Sequence, residues 1–335
     1  MKKTIVTILQ YVGFLGLGIW IIYHMLHELT PQQTTELKDA ITSINAWYLI
    51  PICIVGFFSH FTRALRWRYL LETIDLRPTV TNTFFAVMIG YLANLALPRA
   101  GEVAKCTVLA KYENMPAHKM IGTIVAERAF DIVCLIVIAI ATFLLQFNVI
   151  STYVGGEMHL LVAKIIRHEV VLTIILIVIA AIIVGLVLLY RRHRETKAGK
   201  VMKEMSHAIF SIIHMKKRWQ FMVLTVLMWL CYVGQIYIGL KSLPATHHLS
   251  PLASLVVLVY GSVGLIITPG GIGLYTLLVA QILAAYAIPD VPAQAFGWIA
   301  WAVQTVLIIV LGVFSLLTIH SYNRKRDAKA AVGIT

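Results

Sequence analysis

"NLALPRAGEVAK", residues 94–105, interrupts an apolar run with proline, arginine, glycine and glutamate inside five positions. Proline and glycine break or weaken a helix, and a charge facing lipid is expensive, so the run is no part of a plain lipid-facing helix. The surrounding chain of 335 residues is 59% apolar and only 13% charged, with a mean hydropathy of +0.84. Those values place it among all-α polytopic integral membrane proteins and exclude an ordinary soluble domain. The apolar stretch before the break, residues 81–97, is about 17 residues long and leads into Lys105, Lys111 and Lys119. Were it to cross, that basic loop would lie outside, against the positive-inside rule. A re-entrant hairpin that enters and leaves on the cytoplasmic side removes the conflict, and such backbone is tolerated where protein or a water-filled cavity satisfies it.

Working outward from this hairpin, residues 4–26 follow Lys2 and Lys3 with no small-residue cleavage site, so they read as a retained first span rather than a signal peptide. Thr30 and Pro31 start a short helix that puts Leu37, Ile41 and Ile44 on one face, as a helix lying on the membrane surface would. Residues 46–65 form a second span ending in Arg63, Arg66 and Arg68, with Trp67 and Tyr69 as interfacial anchors on the cytoplasmic side. Residues 121–147 cross outward and 170–190 return to a basic loop, 191–218, which holds nine of the 28 Lys and Arg residues and so fixes the cytoplasmic side. Within it Met202, Met205, Ile209 and Ile212 recur at helical spacing, as in a basic amphipathic helix on the inner leaflet or a connecting helix with a solvated face.

Residues 219–240 cross outward again. The stretch 252–288 is broken at "TPGGIG", 268–273, and reads as a second hairpin entered from outside, before 296–320 returns to a basic tail. This topology has about six spans plus two re-entrant hairpins, with both termini cytoplasmic and only Lys38, Lys164, Arg167 and Lys241 outside. One membrane domain covers 1–335, and its halves, 46–147 and 219–320, form a candidate inverted repeat. Paired Gly/Pro-broken segments in such repeats point to a transport site near the midplane.

Several residues carry candidate chemistry. Asn94 can cap freed backbone groups at the first turn, and Arg99 and Glu102 add opposite charges, either to bind a ligand or to pair and pin the turn. In "ERAFD", Glu127 and Asp131 lie one turn apart, and Arg128 is three before Asp131, so the three can form one compact cluster. Such a cluster either faces a pathway or locks the span to the hairpin. Gly270, Gly271 and Gly273 allow close backbone approach and expose amides at a helix start. Cys53, Cys106, Cys134 and Cys231 are scattered, and no HExxH or DxD cluster is present, so neither a metal nor a cofactor is expected. The net charge of +13 is explained by basic residues beside spans and anionic lipid heads, which makes membrane lipid rather than nucleic acid the expected partner.

Asn94, Pro98, Gly101 and Glu102, then Glu127, Arg128 and Asp131, the cluster Arg66 to Arg68, and "TPGGIG" occur in an order that resembles one family. That family is the membrane domain of the lysylphosphatidylglycerol synthase and flippase proteins. The resemblance covers nearly the whole chain and implies a plasma-membrane protein that moves lipids with modified or charged head groups between leaflets. The chain ends soon after His320, so a stand-alone member without the aminoacyl-transferase domain is expected. Leu274 and Tyr275 stand where many relatives have Arg-Glu after the glycine loop. The reading is thus a lipid flippase-like protein, open to homo-oligomerisation, with a head group held by Arg99, Arg128 and amides of residues 270–273. Glu102, Glu127 and Asp131 would position those cations or bind a cationic head. Two alternatives stand beside it: a membrane transferase on a lipid-linked substrate with Glu102, Glu127 or Asp131 as base, and a scaffold that holds lipid or a partner through 191–218.

Overall fold

The computed structural model describes residues 18–97, 100–147 and 214–331, together with positions 16, 149 and 212. The described residues contain helices and no strand. After a helical segment at 18–27 come α1 (Pro31–Thr42), α2 (Leu49–Glu72), α3 (Val80–Ala96), α4 (Ala100–Glu113), α5 (Ala117–Leu145), α6 (Arg218–Lys241), α7 (Pro251–Ile267), α8 (Leu274–Ala284) and α9 (Asp290–Ala331). The protein is a polytopic all-α membrane protein. Helices α2, α5, α6 and α9 are long and apolar enough to cross a membrane. With 14 residues in α4 and 11 in α8, these two fall short of the roughly 20 a crossing needs, so α3/α4 and α7/α8 form the two hairpins. The expected return span at 170–190 and the amphipathic helix at 202–212 lie outside the described residues, apart from Ile212, as does most of the first span.

Local sequence sets the ends of these helices. Thr30 caps α1 in a reciprocal box: its hydroxyl accepts from the Gln33 amide at 3.2 Å, while the Gln33 side chain accepts from the Thr30 amide at 3.0 Å. The apolar face of α1 is covered in part by protein, since Leu37 packs against Val291 and Ala295 at the start of α9 while Ile41 stays exposed. At the first hairpin, α3 and α4 cross so closely that a Cβ on Gly101 would fall 2.1 Å from the Gly90 carbonyl oxygen. In the second, Gly270, Gly271 and Gly273 take φ of +63°, +74° and +70°, the left-handed region in which glycine is favoured. The two hairpins meet tip to tip, with Leu95 3.6 Å from the Cβ position of Gly270, and the Gly270 carbonyl is held from the side by the Trp301 indole of α9, which donates to it at 2.8 Å.

Apolar packing is divided between the hairpins. Trp67, Leu71, Met88, Leu109, Met120 and Phe221 centre one cluster around α3/α4, and Leu240, Val256, Val279, Ile282 and Phe296 centre another around α7/α8. Outward-facing Val223, Val226 and Leu230 on α6 and Val306, Val310 and Leu317 on α9 stay exposed, as suits helices whose solvent is lipid. A buried polar clamp ties the base of the first hairpin to α9. Asn82 and Asn323 exchange side-chain hydrogen bonds of 2.8 and 2.9 Å. One oxygen of Glu113 accepts from Asn82 at 2.7 Å, Thr79 at 2.6 Å and Arg326 at 3.1 Å. Asn323→Leu should therefore cost about 1–3 kcal/mol, because it leaves the buried Asn82 side-chain oxygen without its donor, while the Asn82 amide keeps only Glu113. The double variant with Asn82→Leu should lose less than the two single losses combined, as read by thermal unfolding in detergent.

Candidate functional site

The densest polar constellation joins α2, α4 and α5. Arg63 and Arg66, one turn apart on α2, face Glu127 and Asp131, one turn apart on α5, so two helical ladders of opposite charge interlock. Arg63 donates to Glu127 at 3.1 Å and to Asp131 at 2.9 Å. Arg66 lies 3.3 Å from Glu127 and 2.6 Å from Asp131. Lys105 of α4 reaches the other Glu127 oxygen at 3.0 Å. Glu127 is 1% exposed and thus serves as the common acceptor of three cations brought from two other helices. The ions are ringed by aromatic groups. Tyr232 of α6 accepts from Arg63 at 3.0 Å, Lys105 sits 4.3 Å above the Trp67 ring, and Arg66 lies 5.5 Å from the Phe221 ring centre. Such contacts make a buried cation less costly. Trp67 is itself fixed by donating to the Thr123 hydroxyl at 3.0 Å.

These contacts correct two sequence expectations. Arg63, Arg66 and Trp67 are buried and are not interfacial anchors, because their partners, more than 50 residues further along the chain, draw them inward. Nor does Arg128 pair with Asp131: each helical residue turns the side chain by about 100°, and Arg128, although it lines the same cleft as Glu127, meets Glu102 at 3.4 Å.

Beside the ions lies a narrow cleft with about 10 Å³ of free space, room for about one water, lined by Arg63, Val87, Gly90, Tyr91, Asn94, Gly101, Glu102, Lys105, Glu127 and Arg128. Asn94 caps freed backbone at the turn: its side-chain oxygen accepts from the Gly101 amide at 2.8 Å and so closes the hairpin. At the floor, Arg63, Lys105 and Glu127 are committed to one another. At the mouth, Arg128 and Glu102 are 43% and 29% exposed and joined by one long contact. With Asp131 and Arg66 included, the buried set holds three cations and two carboxylates, an excess of positive charge beneath the cleft.

Of the residues singled out from sequence, Asn94, Glu102, Glu127 and Arg128 line this cleft, and Asp131 stands behind it against the arginines. Arg99, with Pro98, lies outside the described residues. Gly270, Gly271 and Gly273 are not among the lining residues. Gly273 instead approaches the chain's own 18–27 segment, with the Gly18 carbonyl 2.5 Å from its Cβ position, while Gly271 packs against Leu265 and Tyr275 and Gly270 against Leu95. Sequence reasoning missed Arg63, Arg66, Lys105 and Tyr232 as members of the site. The available signal was the match between a pair of arginines three apart in one apolar helix and a pair of carboxylates four apart in another.

A second, neutral polar chain joins the other long helices. Gln235 of α6 donates to Gln304 of α9 at 3.2 Å, and the Gln304 amide nitrogen lies 3.3 Å from the buried His60 ring of α2. Among the described residues, no group of histidine, cysteine or carboxylate side chains has the arrangement to hold a metal ion.

Comparison with known proteins agrees with this architecture. The chain is similar to the UPF0104 membrane protein MJ1595 of Methanocaldococcus jannaschii, with 21% identity over 98% of this chain and 99% of that protein. No solved structure matches. The family described as the lysylphosphatidylglycerol synthase TM region matches residues 8–312. A multi-pass chain matched over that length, with its hairpins and intramembrane charges inside the matched region, belongs to the lysylphosphatidylglycerol synthase transmembrane-region family.

Proposed function

We propose that the protein is a lipid flippase, moving a phospholipid or modified lipid with a charged head group between leaflets, with the head in the cleft and the acyl chains left in the bilayer. The observation that carries this reading is the cleft itself: a narrow polar recess beside a hairpin turn, floored by more buried cations than anions and walled by the hairpin α3/α4 and the long helices α2 and α5. Ionisable groups at such depth are costly and typically mark a pathway for a polar cargo. In this reading Arg128 and Lys105 attract the phosphate, Glu127 and Asp131 hold the cations in place, and Glu102 stands at the entrance. Asn94 keeps the turn closed. Arg99 and the amides of Gly270, Gly271 and Gly273 are proposed contacts for the head group on its way past the hairpin tips.

An inverted repeat of 46–147 and 219–320 underlies the movement. The order of span, hairpin and span recurs in both parts, and the tip-to-tip meeting of the hairpins fits entry from opposite faces. Gln235 and Gln304 join α6 to α9 much as the ion ladder joins α2 to α5, a neutral pair where the first part carries charge. In this reading the protein lies in the plasma membrane with both termini cytoplasmic, its partners are charged lipids, and its surface is open to homo-oligomerisation.

The test is lipid movement by the purified protein in liposomes, using labelled phospholipids that differ in head group. Arg128→Ala and Lys105→Met should each slow it at least about tenfold, the scale of one lost charge-assisted hydrogen bond. A folded Arg128→Ala protein that moves every lipid at the wild-type rate would contradict the reading.

A further inference from the structure

The cleft holds two kinds of ion pair. On its floor, Lys105–Glu127 and Arg63–Glu127 are 3.0 and 3.1 Å long, and their side chains are at most 9% exposed. Opening either would leave a charge stranded, which is strongly unfavourable. At its mouth, Glu102 and Arg128 meet once, at 3.4 Å and half in the open. Pairs of that kind contribute little and break readily. Moreover, the second carboxylate oxygen of Glu102 is buried with no hydrogen-bond partner, so the closed arrangement leaves an acceptor unsatisfied and opening it carries a gain. Glu102 also lies in the first turn of α4, where the amide ends favour a negative charge. It thus occupies, within the chain, the place and charge of an incoming anion.

We propose that Glu102 is a displaceable internal anion: it holds Arg128 across the mouth of the cleft, and a ligand phosphate enters by taking Arg128 from it. This rests on the reading of the cleft as a head-group site and adds its gate. The gate has an unusual sign. A residue that helped bind the ligand would weaken binding when neutralised, whereas a competitor strengthens it. Glu102 thereby sets selectivity as well, since a ligand must carry a group that outcompetes a carboxylate for a guanidinium.

The experiment measures binding of dihexanoyl phosphatidylglycerol, and separately of inorganic phosphate, to the full chain in detergent. Glu102→Gln should bind the lipid more tightly than wild type by up to about fivefold, the ceiling set by releasing one half-exposed pair. Glu102→Gln combined with Arg128→Gln should lose that gain entirely. If the glutamine variant does not fold, Glu102→Ala, with a good helix former, must show the same increase. Lipid binding that is unchanged or weaker in a folded Glu102 variant overturns the gate. A gain for the lipid alone assigns it to head groups, and an equal gain for inorganic phosphate supports the same displacement by any accessible phosphate. Failure of every form to bind either probe sinks the head-group reading together with its gate. Tighter binding by Glu102→Gln in a protein that moves no lipid in liposomes leaves the gate standing and removes only the transport.

Discussion

Glu127→Gln is expected to lower stability by about 3–5 kcal/mol, the usual cost of breaking a buried ion pair by removing one partner. The change is isosteric, so no cavity contributes, and what is lost is the negative charge shared by Arg63, Arg66 and Lys105. Asp131 then faces the two arginines alone, and Lys105 keeps only the Trp67 ring. Within a low-dielectric interior such uncompensated cations repel one another and have no water to solvate them. Lys105→Met in the same chain should recover part of the loss, because it removes the stranded charge while keeping the apolar stem against Trp67. Thermal unfolding in detergent of the single and double variants decides the point. A Glu127→Gln protein as stable as wild type would mean that the cluster is hydrated and easily rearranged.

The two hairpins were legible in the sequence because a membrane makes length diagnostic. A helix of 14 residues in α4 or 11 in α8 cannot span hydrocarbon, and "LPRAGE" and "TPGGIG" announce the breaks. The ends of α2, α5 and α6 fell within a few residues of the apolar runs for the same reason, except that α2 continues to Glu72 beyond the expected end at 65. That extension explains the largest error. Arginines at the end of a hydropathy run resemble an interfacial belt, and whether Arg63 and Arg66 go outward or inward is decided by Glu127 and Asp131, which no local pattern connects to them. Lys105 was hidden in the same way, as one of several loop lysines, until α4 folded back on α3. Arg128 was grouped with its sequence neighbours although helical rotation sends it to Glu102. The glycines at 270–273 illustrate a different limit: sequence shows that the backbone needs room and positive φ, but not what approaches it, and here Gly18 approaches Gly273, Leu265 approaches Gly271 and Leu95 approaches Gly270.

The closeness of α3 and α4 governs whether the cleft exists, and Gly101→Ala should therefore be among the most damaging single-methyl changes in the protein. Its Cβ would lie 2.1 Å from the Gly90 carbonyl oxygen and 2.5 Å from the Asn94 amide carbon. Neither neighbour is the free end of a flexible chain, for one is backbone and the other is held by its bond to the Gly101 amide itself. The hairpin must open by an ångström or more, which breaks that bond and separates Gly90, Asn94 and Gly101, three of the cleft's lining residues. Alanine is the better helix former by about 1 kcal/mol, so the sign depends on the clash. Overpacking of about 1–3 kcal/mol and a lost hydrogen bond of about 1 kcal/mol together outweigh that preference. Gly122 provides the matched control, a glycine within α5 whose added Cβ meets nothing within 4 Å. Gly122→Ala should leave the unfolding midpoint unchanged or raise it, while Gly101→Ala lowers it and slows lipid movement in liposomes. Equal midpoints for the two would show that the hairpin accommodates a side chain at its crossing, and that the approach of α3 to α4 is not what shapes the site.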